Sequence, residues 1–432
     1  MDTTPFASLT GGPTTGRTGG RTTGRTAGPT TGRTGLTRRR LLGAAVAMGA
    51  VAPLGLADTA WSAPTPSGGG APARLTLPVP TGPCPVGTVP LHLRDTSRPD
   101  PAAGPGRFRE LMAAVWYPAR SADAGAYPLA PWMSDGALRA FLADVGYPLD
   151  PSLAPLTSGH RGAPVHRTGH RLPVVVFSHG SGSHRADHTV ICQELASHGY
   201  AVVTVDHTDD CFTEFPDGTV RTPSDSVPMY PRDYAADLRF LLDRVDDLAA
   251  GRNPDVDGRA LPVGLLGGLD PDAVGAFGWS KGGTATALAM GADPRLRAGL
   301  ALDGPMIANP APGTDLDRPF MMMTAAWARA TNPAAETFWS HLRGWRLDIQ
   351  ATGAVHASYG DNMTLIPQAG KLLGMTEQQI RSQVGTLDPD RGIRIQQAYP
   401  LAFFDLHLRH RGSGRRLLDG PTRSFPEVVF HP

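Results

Sequence analysis

An α/β fold, built on a mostly parallel eight-stranded sheet with helices on both faces, is predicted by three observations. Short apolar runs of strand length recur between residues 88 and 352. Stretches with helical spacing alternate with several of them, a pattern that calls for parallel strands covered on both faces. A Gly-x-Ser-x-Gly string, Gly278-Trp279-Ser280-Lys281-Gly282, stands between one such run and a helix-forming stretch.

The elements follow in order. Residues 1–36 carry a Gly/Thr/Arg tract with recurring Thr-Gly-Arg-Thr. It has nothing to bury, so disorder is expected there. Residues 37–63 open with Thr37-Arg38-Arg39-Arg40-Leu41-Leu42, run through a weakly apolar stretch to Ala57 and end in small residues near Ala60–Ala63. This is the pattern of a Tat-type signal peptide, and it predicts a secreted protein. A membrane anchor is the rival reading, but the run is short and broken by glycine and Pro53. Residues 64–76 form a Pro/Gly/Ala linker, and residues 77–432 read as a single α/β domain.

Within that domain the expected strands are Thr88–Leu93, Leu111–Tyr117, Pro173–Phe177, Ala201–Asp206, Ala273–Gly278, Ala298–Leu302, Pro319–Thr324 and Arg346–Thr352. Helices are expected over Ala186–His198, which stops at Gly199, and over Arg232–Val245, with Tyr234, Leu238, Leu241, Leu242 and Val245 on one face. The stretch from Pro118 to Arg171 shows no clear strand and is expected to form a rim or lid over the site.

Charge is nearly balanced, with Lys+Arg 40 against Asp+Glu 39, so no basic or acidic excess points to nucleic acid. The chain has three cysteines. Cys192 with Cys211 is the most plausible bridge in an exported protein, and the alternative is three free thiols including Cys84. No Cys-x-x-Cys or His/Cys cluster suggests a metal.

The Gly-x-Ser-x-Gly context makes Ser280 the candidate nucleophile. Gly278 and Gly282 flank it because a side chain at either place would clash with strand or helix. The serine then lies at a helix N-terminus, which favours developing negative charge. Such a serine needs a histidine to take its proton, and the histidine needs a carboxylate to fix its tautomer. In the order Ser, acid, His, Asp303 follows the strand ending at Leu302, and no other acid follows the next strand until Glu336. His356 follows the last strand in a loop, whereas His341, His407, His410 and His431 lie on helices or in the tail. An acyl-transfer site also needs two N–H donors for the oxyanion. Those of Lys281 and Ser181 are expected to supply it, with Gly180 and Gly182 letting the backbone approach closely. His179 reads as a structural hydrogen-bonding residue, and His184 and His188 as a surface or helix face. The glycine-rich loop lacks the lysine pattern of a phosphate loop, which excludes nucleotide binding on that signal.

These residues resemble the platelet-activating-factor acetylhydrolase family of the plasma (isoform II) type, a branch of the α/β-hydrolase fold that includes secreted actinobacterial lipases and esterases. The resemblance spans residues 77–430. It is carried by Val115-Trp116-Tyr117-Pro118, Phe177-Ser178-His179-Gly180, Leu195-Ala196-Ser197-His198-Gly199-Tyr200, Gly278 to Gly283, Leu302-Asp303-Gly304, Val355-His356 and Ala402-Phe403-Phe404-Asp405. It implies cleavage of short or oxidised acyl esters of phospholipids, without metal or organic cofactor. The expected partners are a lipid or other ester substrate and, peripherally, a lipid surface. The alternatives are a broad lipase, carboxylesterase or polyester hydrolase and, more remotely, a non-catalytic lipid-binding protein.

Overall fold

In the computed structural model the described residues are 73–167, 169–308 and 315–432. The expectations placed on the Gly/Thr/Arg tract, the signal peptide and most of the linker lie outside them.

In chain order the elements are β1 (Val86–Pro99), β2 (Phe108–Pro118), β3 (Leu129–Pro131), α1 (Asp135–Val145), β4 (Leu156–Arg161), β5 (Leu172–Ser178) and α2 (Thr189–Ser197). Then come β6 (Ala201–Val205), the small hairpin β7 (Thr213–Glu214) and β8 (Val220–Arg221), α3 (Pro231–Ala249), β9 (Leu269–Trp279) and α4 (Lys281–Ala292). The chain ends with β10 (Leu296–Leu302), β11 (Phe320–Thr324), α5 (Pro333–Ser340), β12 (Arg346–Ala351), α6 (Asn362–Leu372), α7 (Glu377–Val384), α8 (Pro389–Leu408) and β13 (Val428–His431).

The main sheet runs β13-β12-β11-β10-β9-β5-β6-β2-β1-β4-β3. From β6 to β12 the neighbours pair in parallel. β2 is antiparallel to both β6 and β1, and β13 closes the far edge antiparallel to β12. All eight expected strands are present, and the doubly covered parallel sheet is that of an α/β-hydrolase. The sheet has eleven strands rather than eight, however. β4 and β3 lie inside the stretch expected to hold no strand. Their signal was weak for a physical reason. β4, next to the edge, has the sequence Leu-Thr-Ser-Gly-His-Arg with only two buried positions, and the edge strand β3 has three residues, one of them a proline.

The central strands explain why the apolar runs were so legible. In β5, Val174 and Val176 join the core on one face while Val175 and Phe177 join the core on the other. β11 splits in the same way, with Phe320 and Met322 against Met321 and Met323. Each such side chain contributes roughly 1.5–3 kcal/mol on burial, so a continuous apolar run is favoured at the centre of the sheet and alternation is not. α3, α4 and α5 cover the first face; α2 and α8 cover the second.

α2 begins three residues later than its periodicity suggests. Its opening amides, Thr189 N and Val190 N, donate to the Asp361 carboxylate at 3.1 and 2.9 Å. The cap is thus supplied from far along the chain, and no local start signal exists. Cys84, Cys192 and Cys211 are all free thiols, so the bridge is not formed. None of the described helices is long and apolar enough to cross a membrane.

Candidate active site

The ends of β9, β10 and β12 assemble the site from Ser280, Asp303 and His356. β9 ends at Trp279, and Ser280 makes the turn into α4 with φ 55° and ψ −122°, a conformation that costs a non-glycine residue strain. The turn is tight because its backbones touch. A Cβ on Gly278 would lie 2.2 Å from Gly282 O, and one on Gly282 would lie 2.1 Å from Ser178 O. Ser280 N donates to Leu302 O at 3.0 Å, which ties the turn to the end of β10.

Asp303 follows directly, fully buried and itself at positive φ (43°). Its carboxylate accepts from Ala325 N, Trp327 N and Ala326 N at 2.7, 2.9 and 3.1 Å. The fourth partner is His356 Nδ1 at 2.6 Å. Among the described residues, Ser280 Oγ and His356 Nε2 are buried polar atoms with no hydrogen-bond partner. A nucleophile and a base without other partners are free to meet a substrate. Trp279 steadies the imidazole from the side. Its ring lies 4.7 Å from that of His356, and its Nε1 donates to His356 O at 2.9 Å. The Gly-x-Ser-x-Gly pattern leaves this position open, and its contact with His356 is made only in the folded chain.

The loop after β5 runs beside this turn. Gly180 faces the Trp279 ring so closely that a Cβ would sit 2.5 Å from it. Gly182 takes φ +65°, which glycine adopts without strain. Neither Ser181 N–H nor Lys281 N–H hydrogen bonds to another group among the described residues. Both remain available as donors. The Lys281 side chain turns away, its ammonium on the Asp210 carboxylate and on Met229 O. His179 is indeed a structural group. Its Nδ1 donates to Gly180 O at 2.6 Å and its Nε2 accepts from His207 N at 3.0 Å.

His184 and His188 are not on a surface. Both are buried, and burial pushes each imidazole down to about 3, so both are neutral at neutral pH. They sit among aromatic rings, His184 against Trp132 and Phe141, His188 against Phe177 and Trp279. Polar residue type suggested exposure, but the loop is roofed by α1 and the segment before it.

A second Ser–His–Asp arrangement lies beneath the loop. Ser178 Oγ is 2.8 Å from His207 Nε2, and His207 Nδ1 is 2.9 Å from Asp237 Oδ2. Asp237 also takes two 2.7 Å bonds from Arg109. Here every atom is already partnered, and Ser178 completes a regular strand. These groups brace the end of β5 and offer no open valence to a substrate. His179, Asp206 and Cys211 also bring ligand atoms within 4.8 Å of one another. Those of His179 are engaged as above, and Asp206 pairs with Arg185, so two of the three groups already have protein partners.

An apolar cavity of about 120 Å³ reaches Ser181–Ser183, Trp279 and Ala357. Its far wall comes from Trp132, Leu138, Phe141 and Leu142, together with Leu365 and Ala369 of α6. The stretch expected to form a rim therefore contributes much of this wall.

Asp187 is a buried carboxylate in the lining of this cavity. Its carboxylate accepts from Ser183 Oγ at 2.6 Å and feels the His356 charge. Burial pushes it up to about 6, the Ser183 bond and His356 opposing. Between an ordinary value of 3.8 and about 6 the folded chain holds a proton that the unfolded chain has lost. Stability therefore falls as pH rises through this window, by on the order of 2–3 kcal/mol. Asp187→Asn is expected to be more stable than the parent at pH 8, with the gain shrinking as pH falls through 6 toward 4. Urea unfolding across that range checks it, and a difference independent of pH would remove Asp187 as the source.

Comparison with known proteins gives a consistent picture. Residues 155–222 match the family model described as platelet-activating factor acetylhydrolase, isoform II. A probable 1-alkyl-2-acetylglycerophosphocholine esterase of Arthroderma benhamiae is 28% identical over 387 residues, covering 83% of this chain and 94% of its own. The platelet-activating factor acetylhydrolase of Cavia porcellus is 26% identical over 266 residues, 56% of this chain and 59% of its own. A solved structure, the ferulic acid esterase from Streptomyces cinnamoneus, superposes with a TM-score of 0.70 at 32% identity, covering 83% of this chain and all of that one.

Proposed function

Because this chain belongs to the platelet-activating factor acetylhydrolase family of the isoform II type, and is a carboxylic ester hydrolase, we propose that it cleaves short-chain or oxidised acyl esters of phospholipids through an acyl-enzyme on Ser280. The observation that carries the reading is the pair of buried, unpartnered atoms, Ser280 Oγ and His356 Nε2, beside a carboxylate-braced imidazole and an apolar cavity. In this mechanism His356 takes the Ser280 proton as Oγ attacks the ester carbonyl. The tetrahedral oxyanion accepts from the N–H groups of Ser181 and Lys281. Asp303 holds Nδ1–H and stabilises the imidazolium. His356 then protonates the departing alcohol, and water, deprotonated by the same imidazole, releases the acid. The twin-arginine segment motivates the further proposal that the protein acts outside the cell.

A second reading is favoured by the aromatic lining of the cavity, Trp132, Phe141 and Trp279. They suit a flat acyl group, as in the feruloyl esters named for the structural neighbour. Initial rates on a 2-acetyl phospholipid, its long-chain counterpart, a feruloyl ester and a polyester film separate the readings. Fast release of acetate with little from the long chain supports the acetylhydrolase. A higher kcat/KM on the feruloyl ester or the film replaces it with the broader esterase.

Chain-length selection should respond to the cavity wall. Ala369→Leu adds bulk from a helix position that leucine tolerates well. It is expected to lower kcat/KM for a hexanoyl ester by roughly tenfold and leave an acetyl ester within about threefold. Parallel rate measurements on the two esters check this, and equal losses would place the acyl chain elsewhere.

A further inference from the structure

We infer that Asp210 is a positioning residue for the oxyanion hole, locking together the two chain segments that supply its N–H donors. The inference rests on the proposed roles of Ser280, Ser181 and Lys281.

The two donors are 100 positions apart, Ser181 in the loop after β5 and Lys281 at the start of α4. Backbone geometry alone leaves their spacing to the packing of two independent turns. Asp210, on the stretch after β6, meets the side chains of both. Each of its carboxylate oxygens is 3.3 Å from Ser181 Oγ. Oδ1 accepts from Gly182 N at 3.1 Å, and the Asp210 carbonyl accepts from the same amide at 3.1 Å. Oδ2 carries the Lys281 ammonium. So one carboxylate holds the residue on either side of the hole by its own side chain.

This carboxylate is itself braced from below. Tyr234 OH donates to Oδ2 at 3.0 Å, and the Lys281 ammonium sits 5.2 Å over the Tyr234 ring. His207 stacks on that ring at 3.7 Å, and its Nδ1 is held by Asp237, itself paired with Arg109. From Asp210 through Tyr234, His207 and Asp237 to Arg109 the groups are buried, so this brace resists displacement as charge builds on the substrate. Lys281 does not face the substrate. Its charge is spent on Asp210 and Met229 O, which leaves its backbone N–H as the group directed to the hole.

Hydrogen bonds that exist to place donors act on the transition state more than on the bound substrate. A misplacement of about 1 Å costs on the order of a hundredfold in rate. Asp210→Asn is therefore expected to lower kcat by roughly 10- to 100-fold while KM stays within about threefold. Affinity for a trifluoromethyl ketone analogue, which forms a tetrahedral oxyanion on the serine, should fall by the same factor. Affinity for the matching non-hydrolysable ether should not change. Lys281→Met should give a similar loss, and the double variant Asp210→Asn/Lys281→Met should be no worse than about threefold below the slower single, since both remove one tie. The double variant also leaves no unpaired ammonium, so it carries the test if Asp210→Asn alone does not fold.

A kcat within about threefold of the parent in the folded variant overturns the inference. So does a parallel loss of ketone and ether binding, which would mark general loosening of the pocket. Labelling with a fluorophosphonate keeps the two readings apart. If Ser280→Ala still labels, the nucleophile assignment fails. If the parent labels, Ser280→Ala does not, and Asp210→Asn turns over normally, the assignment stands and the role of Asp210 fails.

Discussion

Ser280→Ala is expected to lower kcat by about four to six orders of magnitude while the protein keeps its fold. The substitution removes only Oγ, an atom that makes no hydrogen bond among the described residues, so no structural bond is lost. It also keeps the turn, although alanine must still adopt φ 55° there. The residual rate measures what the oxyanion donors and binding achieve without a nucleophile. Initial rates on a short-chain ester, paired with fluorophosphonate labelling and a melting curve, check the result. An unaltered melting temperature with turnover within about tenfold of the parent would remove Ser280 from the mechanism.

Asp303→Asn should cost about four orders of magnitude in kcat, and should also destabilise the fold. Both effects follow from the same four donors. One carboxylate oxygen accepts from Ala325 N and Trp327 N, the other from Ala326 N and His356 Nδ1. An asparagine must turn its NH₂ toward one of these pairs. If it faces His356, the imidazole takes the wrong tautomer and Nε2 carries the proton it should accept. If it faces Ala325 and Trp327, two buried amides lose their acceptor at about 1–3 kcal/mol each. The acid on the next strand but one is already engaged. Asp348, the acid on β12, is held by Arg329 Nε at 2.7 Å and by Thr324 Oγ1 at 3.0 Å. Rates and urea unfolding of the same variant separate the catalytic from the structural loss. Near-normal kcat in a folded Asp303→Asn would point to another acid.

Much of the frame was legible in the sequence because the central strands are buried on both faces. Val174–Phe177 and Phe320–Met323 had no polar position to dilute the signal. The outermost strands were missed because the margin of a sheet needs neither length nor continuous apolarity, as β3 and β4 illustrate. The late start of α2 was invisible because its cap, Asp361, comes from far along the chain. His184 and His188 were placed wrongly because residue type reports average exposure. The cover over His184 is built by Trp132 and Phe141 of α1, and that over His188 by Phe177 and Trp279, all brought together only in the folded chain.

What the sequence determined by itself is local. Glycines at 278 and 282 around a serine, between an apolar run and a helix former, specify a turn that backbone sterics allow in few other ways. Strand-ending loops that carry an acid and then a histidine specify which groups can follow it. Tertiary structure alone decided everything that depends on groups distant in the chain. It set the 2.6 Å contact between Asp303 and His356, the seat of Trp279 against the imidazole, the apolar wall drawn from α1 and α6, and the carboxylate of Asp210 between Ser181 and Lys281. The physical reason is range. Steric and hydrogen-bonding preferences act over a few residues and can be read from a window. Burial, and the hydrogen bonds that burial makes worth keeping, depend on which segments the packed sheet brings together.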